Sequence, residues 1–529
     1  MSFILVILAA AAARFYHLAG HGLGECDALI YSNNSKLWFF DHHFVNYWAK
    51  PGYHFLSCLT IGLLGFHDYD LLYLNSFLDI INIILLVLIG FKLGMRRVFV
   101  LSAAVIYAFL PFILQNCADG LPHLSSTTFF LGAFYVFLIY YNSPRKPQGL
   151  LFLTGVLIAF AGNVHPTLLV GMAFFATVLI VMGLKKSATL SSLFIYGSGC
   201  LCVFIAFAFL TSGSLLGRIF LHYQQSTQGM QGNVLSKLSY SFAGLLSIIT
   251  LPVVLLFLGV FCFALLRPAS FKTPGSTRPI NLFLLGGYVL IFLLINCFVV
   301  LGWLYRLLVP IVPLIIVGLA ALADRRTADF PEEWRVAQKF LGLAIIIAIF
   351  NISCHWDVID KRPATVFRQM ADVLDHRVDD RNRLLILPSH FFAPMYYLDV
   401  YFDRNDLYRT KGPWTPEISL LQTYHIKYIA LCKNLAEDKN PSDKAELALM
   451  SQWLDQRRAK CLLNSPQVSL YEVPIHDNWG NIPETADDLP FFDLQRASKN
   501  WRLRHPFISP ASGPHAGHSP SSKLSHQDN

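Results

Sequence analysis

Long apolar stretches, each close to the length of a membrane-spanning helix, recur along the first two thirds of the chain. A helix needs roughly 20 predominantly apolar residues to cross the hydrocarbon core of a bilayer. Such stretches run from residue 3 to residue 354, and charged residues become dense after that point. The pattern predicts about eleven transmembrane helices, at 3–19, 71–91, 98–115, 122–141, 149–163, 167–184, 191–211, 241–266, 281–302, 306–323 and 338–354.

Basic residues in the short loops predict the orientation of these helices. From 71–91 onward they follow every second span, so all of these loops share one side, which the positive-inside rule assigns to the cytoplasm. The loop residues are Lys92, Arg96, Arg97, Arg145, Lys146, Lys185, Lys186, Arg267, Lys272, Arg278, Arg325 and Arg326. The shorter stretch 51–66 would reverse this pattern if it crossed. We therefore predict a re-entrant or juxtamembrane helix there and an outer loop over 20–70.

Composition agrees with a membrane protein, because 54% of the 529 residues are apolar and 14% are charged. The mean hydropathy is +0.49. The net charge of +8 is scattered through short loops and does not gather on one face, which argues against a nucleic-acid partner. The stretch 3–19 resembles a signal peptide, but it lacks a basic segment before the apolar run and Arg14 follows its alanines directly. We predict an uncleaved first helix.

The predicted membrane module covers 1–354, and strand and helix patterns alternate beyond it. They predict a small extracytoplasmic α/β domain over 355–490 and a disordered tail, rich in His, Ser and Pro, over 491–529. The strand patterns are 384–387, 396–402, 428–432 and 468–473, and the helical ones are 363–377, 414–424 and 441–460. A disulfide between Cys432 and Cys461 is one possibility and two free thiols are the other. The cysteines show no zinc spacing. No cofactor is predicted, and a divalent metal is not excluded.

The first outer loop contains acids, histidines, aromatics and a lysine at the predicted membrane surface. Glu25 and Asp27 follow the first helix at a place where topology requires no charge. Asp27 could take a proton from a hydroxyl as a general base, and the alternative is a solvated loop acid. Lys50 precedes the Pro-Gly that opens the short helix. Its ammonium could pair with a lipid phosphate, or it could simply extend to the interface.

Further polar residues lie at predicted outer ends of spans. Arg306 stands where the positive-inside pattern asks for no positive charge, and a guanidinium with Tyr305 beside it suits a phosphate; the alternative is contact with lipid headgroups. Asp119 and His123 mark the end of one span and the start of the next. His165 precedes a proline that breaks an apolar run, which is typical of a tight hairpin but also of a residue that contacts substrate.

Three polar residues share one face of the predicted helix 71–91. Asn75, Asp79 and Asn82 follow i, i+4, i+7 spacing. An acid within a span is a functional candidate, and hydrogen bonding between helices is the alternative.

Taken in order, these motifs resemble the C-type (GT-C) glycosyltransferase superfamily, and within it the group of protein O-mannosyltransferases and lipid A aminoarabinose transferases. Asp27 and Tyr31 are similar to the acidic motif of its first outer loop. Lys50-Pro51-Gly52-Tyr53 is similar to the Lys-Pro-Pro that opens its juxtamembrane helix. The later matching segments are Asn116-Cys117-Ala118-Asp119, His165-Pro166-Thr167 and Tyr305-Arg306-Leu307-Leu308-Val309-Pro310.

The chain also departs from the family pattern at three places. Ala28 stands where the acidic motif usually has Glu, Asn75 stands where the family has an Arg early in the second span, and the Arg before Asp119 is missing. The resemblance covers the chain to about residue 354. The three departures leave the identity of the sugar and of the acceptor open.

The resemblance implies a polytopic α-helical GT-C-like protein of the cell membrane, inner or plasma, with a C-terminal α/β domain outside. Its expected activity is an inverting transfer of sugar from a polyprenyl-phosphate donor to a hydroxyl of a lipid, glycan or protein. In this scheme Asp27 is the base, and Lys50 and Arg306 bind the donor phosphate. The expected substrate-binding residues are Glu25, Tyr31, Tyr53, Asp119, His123, His165 and Tyr305. No nucleotide binds, so no Gly-rich phosphate loop is expected.

Two other classes remain as alternatives. A transporter or lipid flippase also uses many helices with a few polar residues inside the membrane, although the sequence shows no convincing internal repeat. A non-catalytic scaffold would use the C-terminal part to bind a partner. A site at the outer face favours the enzyme, a site at the midplane favours the transporter, and a filled cleft favours the scaffold.

Overall fold

The computed structural model describes two regions of the chain, the membrane part and pieces of the C-terminal part. The described residues are 2–18, 22–23, 26–41, 50–67, 69–185, 189–211, 243–246, 248–256, 284–293, 305–327, 333–360, 369–370, 373–374, 383–387, 426–432, 441–465 and 468–473. The predicted tail 491–529, the strand at 396–402 and the helix at 414–424 lie outside them. So do most of the predicted helix 363–377 and much of the spans at 241–266 and 281–302.

The described chain is mostly helical. Its first helices are α1 (Ser2–Phe15), α2 (Cys26–Asp41), α3 (Pro51–Leu64), α4 (Asp70–Lys92), α5 (Arg97–Ala108), α6 (Pro111–Asp119), α7 (Pro122–Asn142), α8 (Gln148–Val164), α9 (Leu169–Leu184) and α10 (Leu190–Leu210). Later helices are α11 (Leu284–Leu293), α12 (Val312–Thr327), α13 (Glu333–Cys354), α14 (Trp356–Asp360) and α15 (Pro441–Gln456). Short 3-10 helices cover Pro166–Leu168 and Tyr305–Ile311.

Within the described residues, 6 helices are long and apolar enough to cross a membrane. They are Asp70–Lys92, Pro122–Asn142, Pro166–Leu184, Leu190–Leu210, Arg306–Arg325 and Trp334–Cys354. Helices α1, α8 and α11 are apolar but shorter. The helices α5 and α6 are long and apolar enough only when taken together, and they are bent by 52° at a break where Pro111 begins the second helix. The span predicted at 98–115 is therefore broken, because proline cannot continue the hydrogen bonding of a helix.

Helix α3, which the loop charges predicted not to cross, is short. Its 14 residues rise by about 21 Å, less than the roughly 30 Å of the hydrocarbon core. It is not among the described helices that are long and apolar enough to span. Gly52 brings α3 directly onto the end of α8, since a Cβ there would lie 2.8 Å from the backbone nitrogen of Val164. Any larger residue would push the two helices apart.

Helix packing forms one large apolar core. Helix α7 lies between α4 and α8, α8 also packs on α10, and α5 contacts α12 and α13. Aromatic side chains fill the interior; for example, the rings of Phe130 and Tyr288 stack with their centroids 4.5 Å apart. This bundle holds the ends of α4, α6, α7 and α8 in fixed positions.

The described C-terminal residues contain a four-stranded sheet. Its strands are β1 (Arg383–Leu387), β2 (Ile426–Cys432), β3 (Lys460–Asn464) and β4 (Val468–Glu472), in the order β1-β2-β4-β3. Strands β1 and β2 are parallel, and the other pairs are antiparallel. Buried residues of β2 and β4 join the same apolar cluster as Tyr31 of α2 and Tyr53 of α3. The sheet therefore packs at the end of the bundle that carries α2 and α3.

Two details of this region differ from the sequence prediction. The helix predicted over 441–460 ends at Gln456, and strand β3 follows after Arg458, whose φ is 53°. The possible disulfide is also wrong. Strand β4 lies between Cys432 of β2 and Cys461 of β3, and the thiol of Cys461 is free. Two cysteines on strands that do not neighbour each other are too far apart for the Cα separation that a disulfide needs.

Candidate active site

Asp27 and Arg306, which are 279 positions apart in the sequence, meet in the structure. Asp27 lies in the first turn of α2, and Arg306 lies in the 3-10 helix that leads into α12. The Nη2 of Arg306 donates a hydrogen bond of 2.9 Å to Oδ2 of Asp27. Both side chains are 28% exposed, so a substrate can reach them. The pair thus combines a candidate base with a candidate phosphate ligand.

Lys50 is the third charged group of the site. It precedes the first turn of α3, is buried, and donates a hydrogen bond to the hydroxyl of Tyr31. Its Nζ also lies 4.5 Å from the centre of the Tyr31 ring. Burial lowers the pKa of Lys50 to about 8; the charge of Asp27 acts in the opposite direction, and that of Arg306 lowers the pKa further. Lys50 therefore interacts electrostatically with both members of the Asp27–Arg306 pair.

Helices α2 and α3 hold Lys50 in place through hydrogen bonds of buried groups. The hydroxyl of Tyr53 donates to the backbone oxygen of Gly120 at 2.6 Å, which ties α3 to the turn between α6 and α7. Gly120 adopts a φ of +67°, a left-handed conformation that glycine adopts without strain. Nδ1 of His54 lies 2.9 Å from Oγ of Ser35 in α2. Burial lowers the pKa of His54 to about 3, so its ring is neutral at physiological pH.

His123 and His165 lie together at one edge of this group. His123 is in the first turn of α7 and His165 follows the last residue of α8, and their rings are 4.7 Å apart. His165 Nδ1 lies 2.8 Å from Oγ1 of Thr167, which holds the ring at the proline break. His123 is buried within electrostatic reach of Arg306 and Lys50. Among the described residues, no hydrogen-bond partner faces its Nδ1.

The structure describes the remaining predicted site residues in less detail. Asp119 is the last residue of α6 and is half-buried, directly before the Gly120 that accepts from Tyr53. Glu25 lies outside the described residues, and only the backbone of Tyr305 falls within them. No group of three or more His, Cys, Asp or Glu side chains that could hold a metal occurs in the described part of the chain.

The polar face of α4 forms interhelical hydrogen bonds. Nδ2 of Asn75 donates to the backbone oxygen of Leu121 at 2.7 Å, and Ser125 donates to Asn75 Oδ1 at 2.7 Å. Asp79 pairs with Arg14 of α1, and both side chains are 0% exposed. Of the two interpretations left open for this face, hydrogen bonding between helices is therefore confirmed.

Two contacts were not predicted from the sequence, one at the site and one within the bundle. The contact between His54 and Ser35 was not predicted, although both residues lie in the predicted outer loop over 20–70. Arg14 was considered only as evidence against a cleavage site, and its partner Asp79 lies 65 positions away. The apolar run around Arg14 was the available signal, because a charge within such a run requires a buried partner.

Comparison with known structures identifies the fold. ArnT from Cupriavidus metallidurans bound to undecaprenyl phosphate is similar with a TM-score of 0.56 and 13% identity, over 88% of this chain and 97% of that chain. The apo state of the same protein gives 0.55 and 12%, over 89% and 96%. The chain has a GT-C fold. This fold and the apolar helices make it a polytopic helical membrane protein.

The GT-C fold is assigned on the two ArnT structures. The apo oligosaccharyltransferase of Archaeoglobus fulgidus is also similar, with a TM-score of 0.49 and 12% identity, over 81% of this chain and 69% of that chain. The sequence matches no protein-family model and no curated protein.

Proposed function

We propose that this GT-C protein is a glycosyltransferase that moves a sugar from a polyprenyl-phosphate donor to an acceptor hydroxyl on the extracytoplasmic face of the membrane. The observation that carries the proposal is that the partly exposed Asp27–Arg306 pair lies within electrostatic reach of the buried Lys50. One carboxylate beside two cations provides a base next to a phosphate site. ArnT, which has the same fold, binds undecaprenyl phosphate, and we extend this class of donor to the present chain.

The proposed reaction inverts the configuration at the anomeric carbon. The carboxylate of Asp27 takes the proton of the acceptor hydroxyl, and the acceptor oxygen forms a bond to the anomeric carbon. The bond between that carbon and the phosphate oxygen breaks, and its electron pair leaves with polyprenyl phosphate. Lys50 and Arg306 offset the charge that develops on the leaving phosphate, an interaction typically worth about 3 kcal/mol of the barrier in a partly water-excluded site.

The position of the site supports the extracytoplasmic side. His123 lies at the start of α7, and Arg306 lies at the start of the span that ends at Arg325. Basic residues lie at the opposite ends of these same helices, with Arg145 just after α7 and Arg325 in the last turn of α12. Because basic loops face the cytoplasm, the site belongs to the other side. The sheet, which shares a buried apolar cluster with α2 and α3, is then also extracytoplasmic. The proposed arrangement has the eleven spans that the sequence predicts.

A transport site at the membrane midplane is the less favoured alternative. The buried carboxylate of Asp79 is occupied by neighbours of the bundle, because it accepts hydrogen bonds from Arg14, Tyr107 and Asn82. Asp79 and Arg14 are fully buried. A solute could bind there only by displacing those bonds, whereas the Asp27–Arg306 pair is open to solvent.

The test uses Asp27→Asn with Asp360→Asn as its matched control. Asp360 has the same side-chain exposure as Asp27, 28%, and contacts a histidine instead of Arg306. The full chain in nanodiscs is given polyprenyl-phosphate sugars extracted from a strain that lacks the protein, with membranes of that strain as the acceptor source. Release of polyprenyl phosphate is measured.

Wild type and Asp360→Asn are expected to release the lipid phosphate at similar rates. Asp27→Asn is expected to be slower by about 10²- to 10⁴-fold, the usual contribution of a general base. Full activity of Asp27→Asn would reject Asp27 as the base. Absence of release by the wild-type protein with every extracted donor would reject the donor class.

A further inference from the structure

The candidate base and one of the two phosphate-binding cations neutralise each other in the structure. Arg306 Nη2 is 2.9 Å from Asp27 Oδ2, within hydrogen-bond distance. A carboxylate that accepts a charge-assisted hydrogen bond from a guanidinium is a weaker base, because its charged form is stabilised. A guanidinium in such a bond is also less available to phosphate. Without donor, Asp27 is therefore a weakened base and Arg306 is already engaged.

The two cations differ in burial. Lys50 is buried against Tyr31 and is fixed at the start of a helix. Arg306 extends a long side chain into a partly exposed position. A phosphate that approaches the site meets a fixed ammonium and a guanidinium that can rotate toward it. A guanidinium binds phosphate oxygens at least as well as carboxylate oxygens, because its fork matches both.

We propose that the donor phosphate takes Arg306 from Asp27, so that Asp27 becomes an active base only after the donor has bound. This inference rests on the proposed function and adds its regulation. Among the described residues, Lys50, Arg306 and Asp27 together carry one net positive charge. The single negative charge of a phosphodiester donor balances it. The exchange needs no covalent step, since one hydrogen bond donated by Arg306 replaces another.

The same exchange gives an order to product release. After transfer, Asp27 carries the proton of the acceptor and no longer competes for Arg306. The product, a phosphate monoester, carries about 1.5 to 2 negative charges and holds Arg306 more strongly than the donor does. Once Asp27 loses its proton it can recover Arg306, which weakens the hold on the product. Acceptor activation thus follows donor binding, and product release follows deprotonation of Asp27.

The test measures binding of undecaprenyl phosphate to the full chain in nanodiscs. The proteins are wild type, Asp27→Asn, Arg306→Gln and the double variant. Because Asp27→Asn removes the competitor for Arg306, it is expected to bind about 2- to 5-fold more tightly than wild type, the range for a partly exposed ion pair. In the Arg306→Gln background the same replacement is expected to change affinity by less than about 2-fold.

Controls separate the exchange from simpler effects. Asp360→Asn is expected to bind as wild type does, and binding of undecaprenol, which lacks phosphate, is expected to be the same in all variants. Asp27→Ser is a second replacement for use if Asp27→Asn does not yield folded protein. Equal tightening with and without Arg306 would indicate plain repulsion between Asp27 and phosphate, and would overturn the exchange.

Two other results have distinct meanings. Unchanged or weaker binding by Asp27→Asn, with normal binding by wild type, overturns the exchange and leaves the proposed function standing. Absence of undecaprenyl phosphate binding by every protein, including wild type, overturns both.

Discussion

The variant Asp79→Asn is expected to remove a large part of the protein's stability, because it breaks an ion pair that is closed to water. Arg14 and Asp79 are 0% exposed. Arg14 donates from Nε to Asp79 at 2.8 Å, and from Nη1 to the backbone oxygens of Ala10 and Ala108 at 3.1 Å. Tyr107 donates to the other carboxylate oxygen at 2.6 Å. The pair thus joins α1 and α4 to the end of α5, where the bent span breaks.

The magnitude follows from what remains after the change. Removal of one partner from a buried ion pair costs about 3 to 5 kcal/mol, since the other charge stays buried without compensation. The amide oxygen of an asparagine can still accept one hydrogen bond from Arg14, so we expect the lower end, about 3 kcal/mol. The double variant Arg14→Gln with Asp79→Asn buries no charge. Its loss is expected to be smaller than the sum of the two single losses by about 2 to 3 kcal/mol.

The assay is unfolding in mixed detergent micelles by titration with a denaturing detergent, followed by circular dichroism, for the two single variants and the double variant. Asp360→Asn, which alters a partly exposed carboxylate, serves as the control and is expected to cost less than about 1 kcal/mol. If Asp79→Asn unfolds at the same detergent fraction as the control, the network does not stabilise the bundle. If the double variant loses the full sum, the charges are not coupled.

Three further predictions concern the placement of Lys50. Binding of undecaprenyl phosphate is expected to weaken by up to about 10-fold per pH unit as the pH rises past about 8, because folded Lys50 loses its proton there. The variant Lys50→Arg should remove this dependence, and an unchanged pH profile in that variant would contradict the prediction. Gly52→Ala places a methyl group 2.8 Å from the backbone of α8 and is expected to lower the free energy of unfolding by about 1 to 3 kcal/mol in the same assay. Gly62→Ala, where the nearest neighbour is 3.4 Å away, should lower it less, and equal losses of stability would refute the close contact. Tyr53→Phe removes the 2.6 Å hydrogen bond to Gly120 and is expected to lower the free energy of unfolding by about 1 kcal/mol and to weaken binding of undecaprenyl phosphate. Wild-type stability and affinity would show that this bond does not position α3.

The sequence predicts the helices well where apolar length alone decides. The spans at 71–91, 122–141 and 191–211 correspond to Asp70–Lys92, Pro122–Asn142 and Leu190–Leu210, because a bilayer requires a minimum run of apolar residues. The break at Pro166 is also predicted, because a proline disrupts helical hydrogen bonding and can be read from the sequence alone. The bend of 52° beside Pro111 was missed, although the same rule applies there.

The contacts of the site are harder to predict. Motif order named Asp27, Lys50 and Arg306, and the structure brings these three together. Nothing in one sequence, however, shows that Asp27 pairs with Arg306, because the partners lie on different helices and their separation depends on the packing of the whole bundle. The pairing of Arg14 with Asp79 was hidden for the same reason.

The protein therefore contains two Arg–Asp pairs that are chemically alike and differ in access to solvent. Arg14 donates a further hydrogen bond to Ala108, and Asp79 accepts one from Tyr107. Both are closed to water, so their charges are fixed and stabilise helix packing. Asp27 and Arg306 are partly exposed beside a third charge, so another anion can enter and change the partners. In a membrane, an unsolvated charge must keep its partner, whereas a pair at the surface can exchange it at little cost. Depth in the bundle, more than residue type, thus separates the pair that supports the fold from the pair that we propose acts on substrate.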